Sequence, residues 1–259
     1  MNLGIKFSGI KTNKLSLETA FIMVVGTGLI ATTLLYLLRV PIKSVIPISN
    51  TYYVFTAMSV MLLAQILIVL ISWSKEGILG NRKKLKEKYP YLKFSWRNRS
   101  LLGWLFAFGV ATITFIITFD IIEPTIGVWF RTIVTPPNWH PMQPNMPLDV
   151  NIDGLFIIIM GFVLLLNVIS EDIFFRCFLL QKVSWLGKWD WVFVGLLFGA
   201  YHLLFQPWQL PGILPAALMM TWWTKYLKSV WPALVGHLLV NGFQIIGFII
   251  AAGSRTNIT

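Results

Sequence analysis

Long apolar runs with no polar alternation constrain this chain more than any other feature of its sequence. Three open it, over residues 19–38, 52–73 and 101–122, and a fourth occupies 154–180. Two shorter runs, 191–205 and 210–224, are split by Gln206-Pro207-Trp208-Gln209, and a seventh covers 230–251. A helix needs about 20 apolar residues to cross a bilayer. The two short runs reach only ~22 Å at ~1.5 Å per residue, so they read as a thin or partly re-entrant hairpin. Membrane β-barrel strands alternate every second residue, and these segments do not. The sequence therefore predicts an all-α polytopic bundle of about seven helices, one integral membrane domain over 1–259. Composition agrees: 56% of residues are hydrophobic and 12% charged, against roughly 25% charged in a soluble domain. Cys177, the single cysteine, excludes an internal disulfide framework and a Cys-rich metal or cluster site and reads as a small packing residue.

The net charge of +11 first suggests nucleic acid, but its distribution fits membrane topology better. Lys and Arg favour the cytoplasmic side of short loops. With seven spans, one face collects sixteen of them: Lys6, Lys11 and Lys14, nine in the 74–100 loop, Lys182, Lys188, Lys225 and Lys228. The other face has Arg39, Lys43, Arg131 and Arg255. That bias places the N-terminus inside and the C-terminus outside. The first apolar run is too long for a cleaved signal peptide and lacks a small-x-small site, so it reads as a signal anchor. The basic 74–100 loop would lie on anionic lipid head groups, and the Pro-rich 123–150 segment would be an irregular outer loop. Residues 1–150 thus contribute three spans and two loops, and 151–251 form the core that carries the chemistry.

Ionisable side chains inside membrane helices cost several kcal/mol and are functional candidates by default. Here they gather in the C-terminal half: Glu171, Asp172 and Arg176 in the fourth run, His202 in the fifth and His237 in the seventh. Counted from each helix's inner end at ~1.5 Å per residue, Glu171 lies ~13 Å deep, His202 ~17 Å, His237 ~10 Å and Asn241 ~16 Å. Separate helices thus bring a carboxylate, two imidazoles and an amide to one layer. Asp172 and Arg176, four apart, share a helix face and can pair, leaving Glu171 free about 100° away. His237 and Asn241 also share a face, Phe198 lies one turn from His202, and Asn167 lies one turn before Glu171.

A carboxylate and a neutral imidazole around one water form a general-base pair. Nearby imidazole and amide donors would stabilise the oxyanion formed when that water attacks a carbonyl. Such a site hydrolyses a peptide bond with no covalent intermediate. The sequence has no Gly-x-Ser-Gly serine, no His-Glu-x-x-His pair and no Gly-x-Gly-Asp aspartate. A proton-coupled transporter could also use a buried Glu and His, but neither an internal repeat nor a through-going polar path is visible.

The residues resemble a known family. Glu171-Asp172-Ile173-Phe174-Phe175-Arg176 is similar to the Glu-Glu-x-x-x-Arg motif of the CAAX protease and bacteriocin-processing (CPBP or Abi) family. Phe198 to His202 matches its Phe-x-x-x-His motif, and His237 to Asn241 its His-x-x-x-Asn motif, in the family's order. The resemblance covers about residues 150–245 and implies an intramembrane glutamic-type endopeptidase. Carried over by position, Glu171 and His202 would activate water, and His237 with Asn241 would form the oxyanion hole. Asp172, Arg176 and Phe198 would support them. Asp172 stands where the family usually has Glu. No cofactor is implied, although Glu171, His202 and His237 could together hold zinc. The implied substrate is a membrane-presented peptide, either a CAAX-like C-terminus or a bacteriocin-like or signalling peptide, cut in a bacterial cytoplasmic membrane. Membrane lipids are the other expected partner, and nucleic acid is not. A non-catalytic scaffold or regulator of the same family is the alternative.

Overall fold

The computed structural model describes residues 14–92, 105, 108–109, 112–113, 116–141 and 150–256. Every regular element among these residues is helical. In chain order they are α1 (Leu17–Leu37), α2 (Arg39–Val45), α3 (Asn50–Lys75), α4 (Arg82–Lys88), α5 (Ile117–Gly127), α6 (Val128–Ile133), α7 (Gly154–Lys182), α8 (Asp190–Leu203), α9 (Leu210–Leu227) and α10 (Trp231–Thr256). Three of these, α1, α3 and α7, are long and apolar enough to cross a membrane. Ten of the 22 residues of the third apolar run, 101–122, lie outside the described residues, as do 93–100 and 142–149 of the two loops.

Local chemistry sets the start of each of these three helices. Ser16 Oγ accepts the Thr19 N–H at 3.1 Å, Ser49 Oγ accepts that of Tyr52 at 3.2 Å, and Asp153 Oδ1 accepts that of Phe156 at 2.8 Å. Each side chain satisfies an N–H that the first turn leaves unpaired.

The Pro-rich segment departs from expectation. An irregular loop was expected from residue 123, yet the chain stays helical through Pro124 to Ile133. Proline removes one N–H and crowds the carbonyl four residues back. The turns over 117–127 widen to i→i+5 bonding, which relieves that crowding. Glu123 pairs with Arg131 on this helix, and α5 packs on α9.

Helix α8 packs on both α1 and α9. Two glycines one turn apart on α8 set the α9 crossing. A Cβ at Gly195 would lie 3.0 Å from Leu218 Cα, and one at Gly199 would lie 2.8 Å from Leu214 Cδ1. Small residues at this spacing let membrane helices approach closely. Helix α3 packs along α7, and α10 lies against both α7 and α9.

The basic end of the bundle is held by one acid. Glu76, just past α3, pairs with Lys182 at the end of α7 and with Lys88 of α4, the latter at 2.8 Å. Burial raises the Glu76 pKa, but the hydrogen bonds and charges of the two lysines outweigh it and hold the carboxyl below its usual value. Tyr89, fully buried, donates to Glu76 and stacks on Phe178 of α7. Two residues later the Tyr91 carbonyl accepts the N–H of Val230 at 2.9 Å, just before α10. Segment 76–92 therefore ties together the basic ends of α7 and α10.

Candidate active site

Helix α7 changes its winding at Asp172. Ordinary α turns run to Glu171, and wider i→i+5 turns occupy Asp172–Leu179. Such bulges recur at functional sites because they re-aim side chains. With more residues per turn, successive side chains diverge by less than the 100° of an α-helix. Glu171 and Asp172 consequently both face His237 of α10. Its Nε2 lies 3.6 Å from Glu171 Oε2, and its Nδ1 lies 3.1 Å from Asp172 Oδ2. Asp172 and Arg176 form the expected ion pair. Glu171 is not free, as the α-helical spacing had suggested. It accepts a hydrogen bond from Tyr201 of α8 at 3.2 Å and faces His202 Nε2 at 3.9 Å.

Helix α8 fixes His202 through its own backbone. The His202 Nδ1 lies 2.9 Å from the Phe198 carbonyl. A carbonyl only accepts, so the proton belongs on Nδ1, and the neutral ring presents Nε2 as an acceptor toward Glu171. The same logic puts a proton on His237 Nδ1, which faces the Asp172 carboxylate. The Phe198 ring lies 4.7 Å from that of His202, with the Arg176 guanidinium 5.1 Å above its face.

Asn241, one turn beyond His237, donates to Asn167 Oδ1 at 2.8 Å. This contact joins α10 to α7 one turn before Glu171, and it leaves the second amide hydrogen of Asn241 available. Glu171, Asp172 and Arg176 are each no more than 1% exposed, and the two histidines are 7% exposed. The site is thus enclosed and narrowly open at its imidazoles. Among the described residues, no group of three His, Cys, Asp or Glu side chains is arranged to hold a metal ion. Cys177 is buried within the hydrophobic core.

Sequence reasoning missed Tyr201, although it immediately precedes His202. A tyrosine in an aromatic-rich helix gives no periodic signal that separates a ligand of Glu171 from a packing residue.

Residues 153–243 match the family described as Rce1-like, type II CAAX prenyl endopeptidase Rce1-like. The matched stretch begins at the Asp153 cap of α7, ends just past Asn241, and spans all the clustered groups. Over this stretch the chain is similar to the CAAX protease family. Comparison with curated proteins and with solved structures gives no match. The family description is that of a protease, and α1, α3 and α7 are long and apolar enough to cross a membrane. In the matched segment α7, α8 and α10 supply the facing groups, while α9 wedges against α8 through Gly195 and Gly199.

Proposed function

We propose that the chain is a glutamic-type intramembrane endopeptidase that hydrolyses a peptide bond of a membrane-presented substrate. The observation that carries this reading is the buried Glu171 carboxylate flanked by His202 Nε2 at 3.9 Å and His237 Nε2 at 3.6 Å. Neither separation is a direct hydrogen bond, and a water between the carboxylate and His202 would donate one hydrogen to each.

In the reaction, that water attacks the scissile carbonyl carbon and gives its proton to the Glu171–His202 pair. The C–N bond then breaks, and the same pair returns the proton to the departing amine. The tautomer set by the Phe198 carbonyl suits His202 to accept at Nε2. The developing oxyanion is stabilised by the second amide hydrogen of Asn241 and by His237. His237 already spends Nδ1–H on Asp172, so it donates from Nε2 as an imidazolium, a cation balanced by the two carboxylates beside it. Asp172 orients and balances His237, and Arg176 offsets the resulting cluster of negative charge. No metal takes part in this scheme.

The N-terminus and the basic end of the bundle face the cytoplasm, in accord with the Lys and Arg distribution. The substrate is a C-terminal CAAX-like segment or a short bacteriocin-like or signalling peptide in a bacterial cytoplasmic membrane. The family description favours the first.

Cleavage assays test this reading directly. Glu171→Gln and His202→Ala should each abolish peptide cleavage while the protein still accumulates in the membrane at its normal level. Normal cleavage by both variants refutes the mechanism. A cellular phenotype that persists in Glu171→Gln would favour a non-catalytic scaffold. Activity that is lost on strong chelation and restored by zinc would favour a metal held by Glu171, His202 and His237.

A further inference from the structure

The Glu171 carboxylate needs a fixed orientation, because the terminal torsion of a glutamate is broad and does not set one by itself. One of its oxygens, Oε1, faces His202 and accepts from the Tyr201 hydroxyl at 3.2 Å. The Tyr201 ring cannot swing away. It is completely buried, edge-on to Phe205 at 4.9 Å and tilted against Phe175 at 5.5 Å.

A tyrosine hydroxyl has one proton, and here two acceptors compete for it. Met61 Sδ of α3 lies 3.0 Å away and Glu171 Oε1 3.2 Å. A thioether is a weak acceptor and a carboxylate a strong one, but distance favours the sulfur. Gln65, one turn along α3 from Met61, bears on the choice. It is 0% exposed, and its amide lies beside the Tyr201 hydroxyl. Neither its Nε2 nor its Oε1 has a formed hydrogen bond among the described residues. A buried amide without a partner is costly, so a glutamine at this position needs a group to engage.

We propose that Tyr201 and Gln65 are positioning residues of the hydrolytic site, acting as a relay from Gln65 Nε2–H to the Tyr201 oxygen and from the Tyr201 hydroxyl to Glu171 Oε1. With its oxygen occupied by the amide donor, the hydroxyl directs its proton to Glu171, not to Met61. The carboxylate then holds Oε1 toward His202 and Oε2 toward His237. The inference rests on Glu171 being the base. It also gives α3, which lies outside the matched segment 153–243, a task in catalysis.

The test uses the full-length protein in phospholipid vesicles and an internally quenched farnesylated CAAX-type peptide. Tyr201→Phe keeps the packed ring and removes the hydroxyl. It should lower kcat about ten- to a hundredfold, with KM and melting temperature unchanged. Gln65→Leu should lower kcat about three- to tenfold in the parent chain and have no further effect when added to Tyr201→Phe, the signature of groups acting as one unit. Normal kcat in Tyr201→Phe overturns the inference, and independent multiplicative losses remove Gln65 from the relay. Glu171→Gln separates the two levels. If it is inactive while Tyr201→Phe is fully active, only the positioning role fails. A parent chain that leaves the peptide intact, or a Glu171→Gln chain that cleaves it, overturns the hydrolytic reading and the relay with it.

Discussion

Asp172 and His237, 65 residues apart in the chain, meet at 3.1 Å through a carboxylate oxygen and the imidazole Nδ1. The other Asp172 oxygen is paired with Arg176. One acid therefore joins the wide turns of α7 to α10 and balances a fully buried guanidinium. Removing one partner of a buried pair strands the other charge, a loss of about 3–5 kcal/mol. Asp172→Ala should accordingly show a much lower melting temperature in detergent. An Asp172→Leu/Arg176→Met double variant should be more stable than Asp172→Ala, because no charge is left uncompensated, while remaining inactive. Equal stability of the two variants would refute this account of the pair.

Asn241 offers a contrast between stability and rate. Its contact with Asn167 joins two membrane helices through one hydrogen bond, worth on average about 0.6 kcal/mol in a membrane. Loss of an oxyanion donor costs about a hundred- to a thousandfold in kcat. Asn241→Ala should therefore melt within a few degrees of the parent chain and cleave far more slowly. Steady-state kinetics beside a melting curve check both halves. Unchanged kcat would leave Asn241 only its helix-joining contact.

The α8–α9 crossing should be intolerant of added bulk. A Cβ at Gly195 would meet the Leu218 backbone at 3.0 Å, whereas a Cβ at Gly26 meets nothing within 4 Å. Gly195→Val is expected to destabilise the fold by about 1–3 kcal/mol and to displace His202 together with its helix. Gly26→Ala should do neither. Thermal unfolding and cleavage rate, measured side by side, distinguish the two positions.

Glu76 should make the basic end acid-sensitive. Its folded pKa is lowered, the two lysines outweighing the effect of burial. A depressed carboxyl contributes stability above its unfolded value of about 4.3 and loses it as pH falls through the folded value. Protease cleavage within 76–92 should rise below pH about 4. In Glu76→Gln, cleavage should be higher at neutral pH and lose that dependence. A parent chain with no acid-dependent cleavage of this segment would argue against the lysine clasp.

His140 should act in a different pH window. Its ring is 1% exposed beside Trp208, and burial lowers its pKa to about 4. Between about 6.5 and about 4 the unfolded chain binds a proton that the folded chain does not, so stability falls as pH is lowered across that range. His140→Phe should flatten the dependence of melting temperature on pH between those values.

Much of this protein is written in its local sequence. Apolar runs place α1, α3 and α7, and three spaced motifs name Glu171, His202, His237 and Asn241 as candidates. Helix lengths and polar residues in apolar surroundings are properties of short windows, so one sequence suffices to see them. The order of the motifs also anticipates the segment 153–243 that matches the CAAX protease family.

Tertiary structure decided the rest. Whether Glu171 stands free depends on how α7 winds past Asp172 and on which aromatic ring α8 turns toward it, and neither has a periodic signature. The wide turns aim Glu171 and Asp172 at one imidazole, and the Tyr201 hydroxyl and the Gln65 amide reach the site from helices that spacing cannot relate. Pro124 shows the same limit in the opposite sense, since packing on α9 and wider turns keep a helix where proline favours a break. Residue type and spacing fix what a side chain can do. Contacts between distant segments fix what it faces, because they depend on helix crossings that no short window encodes.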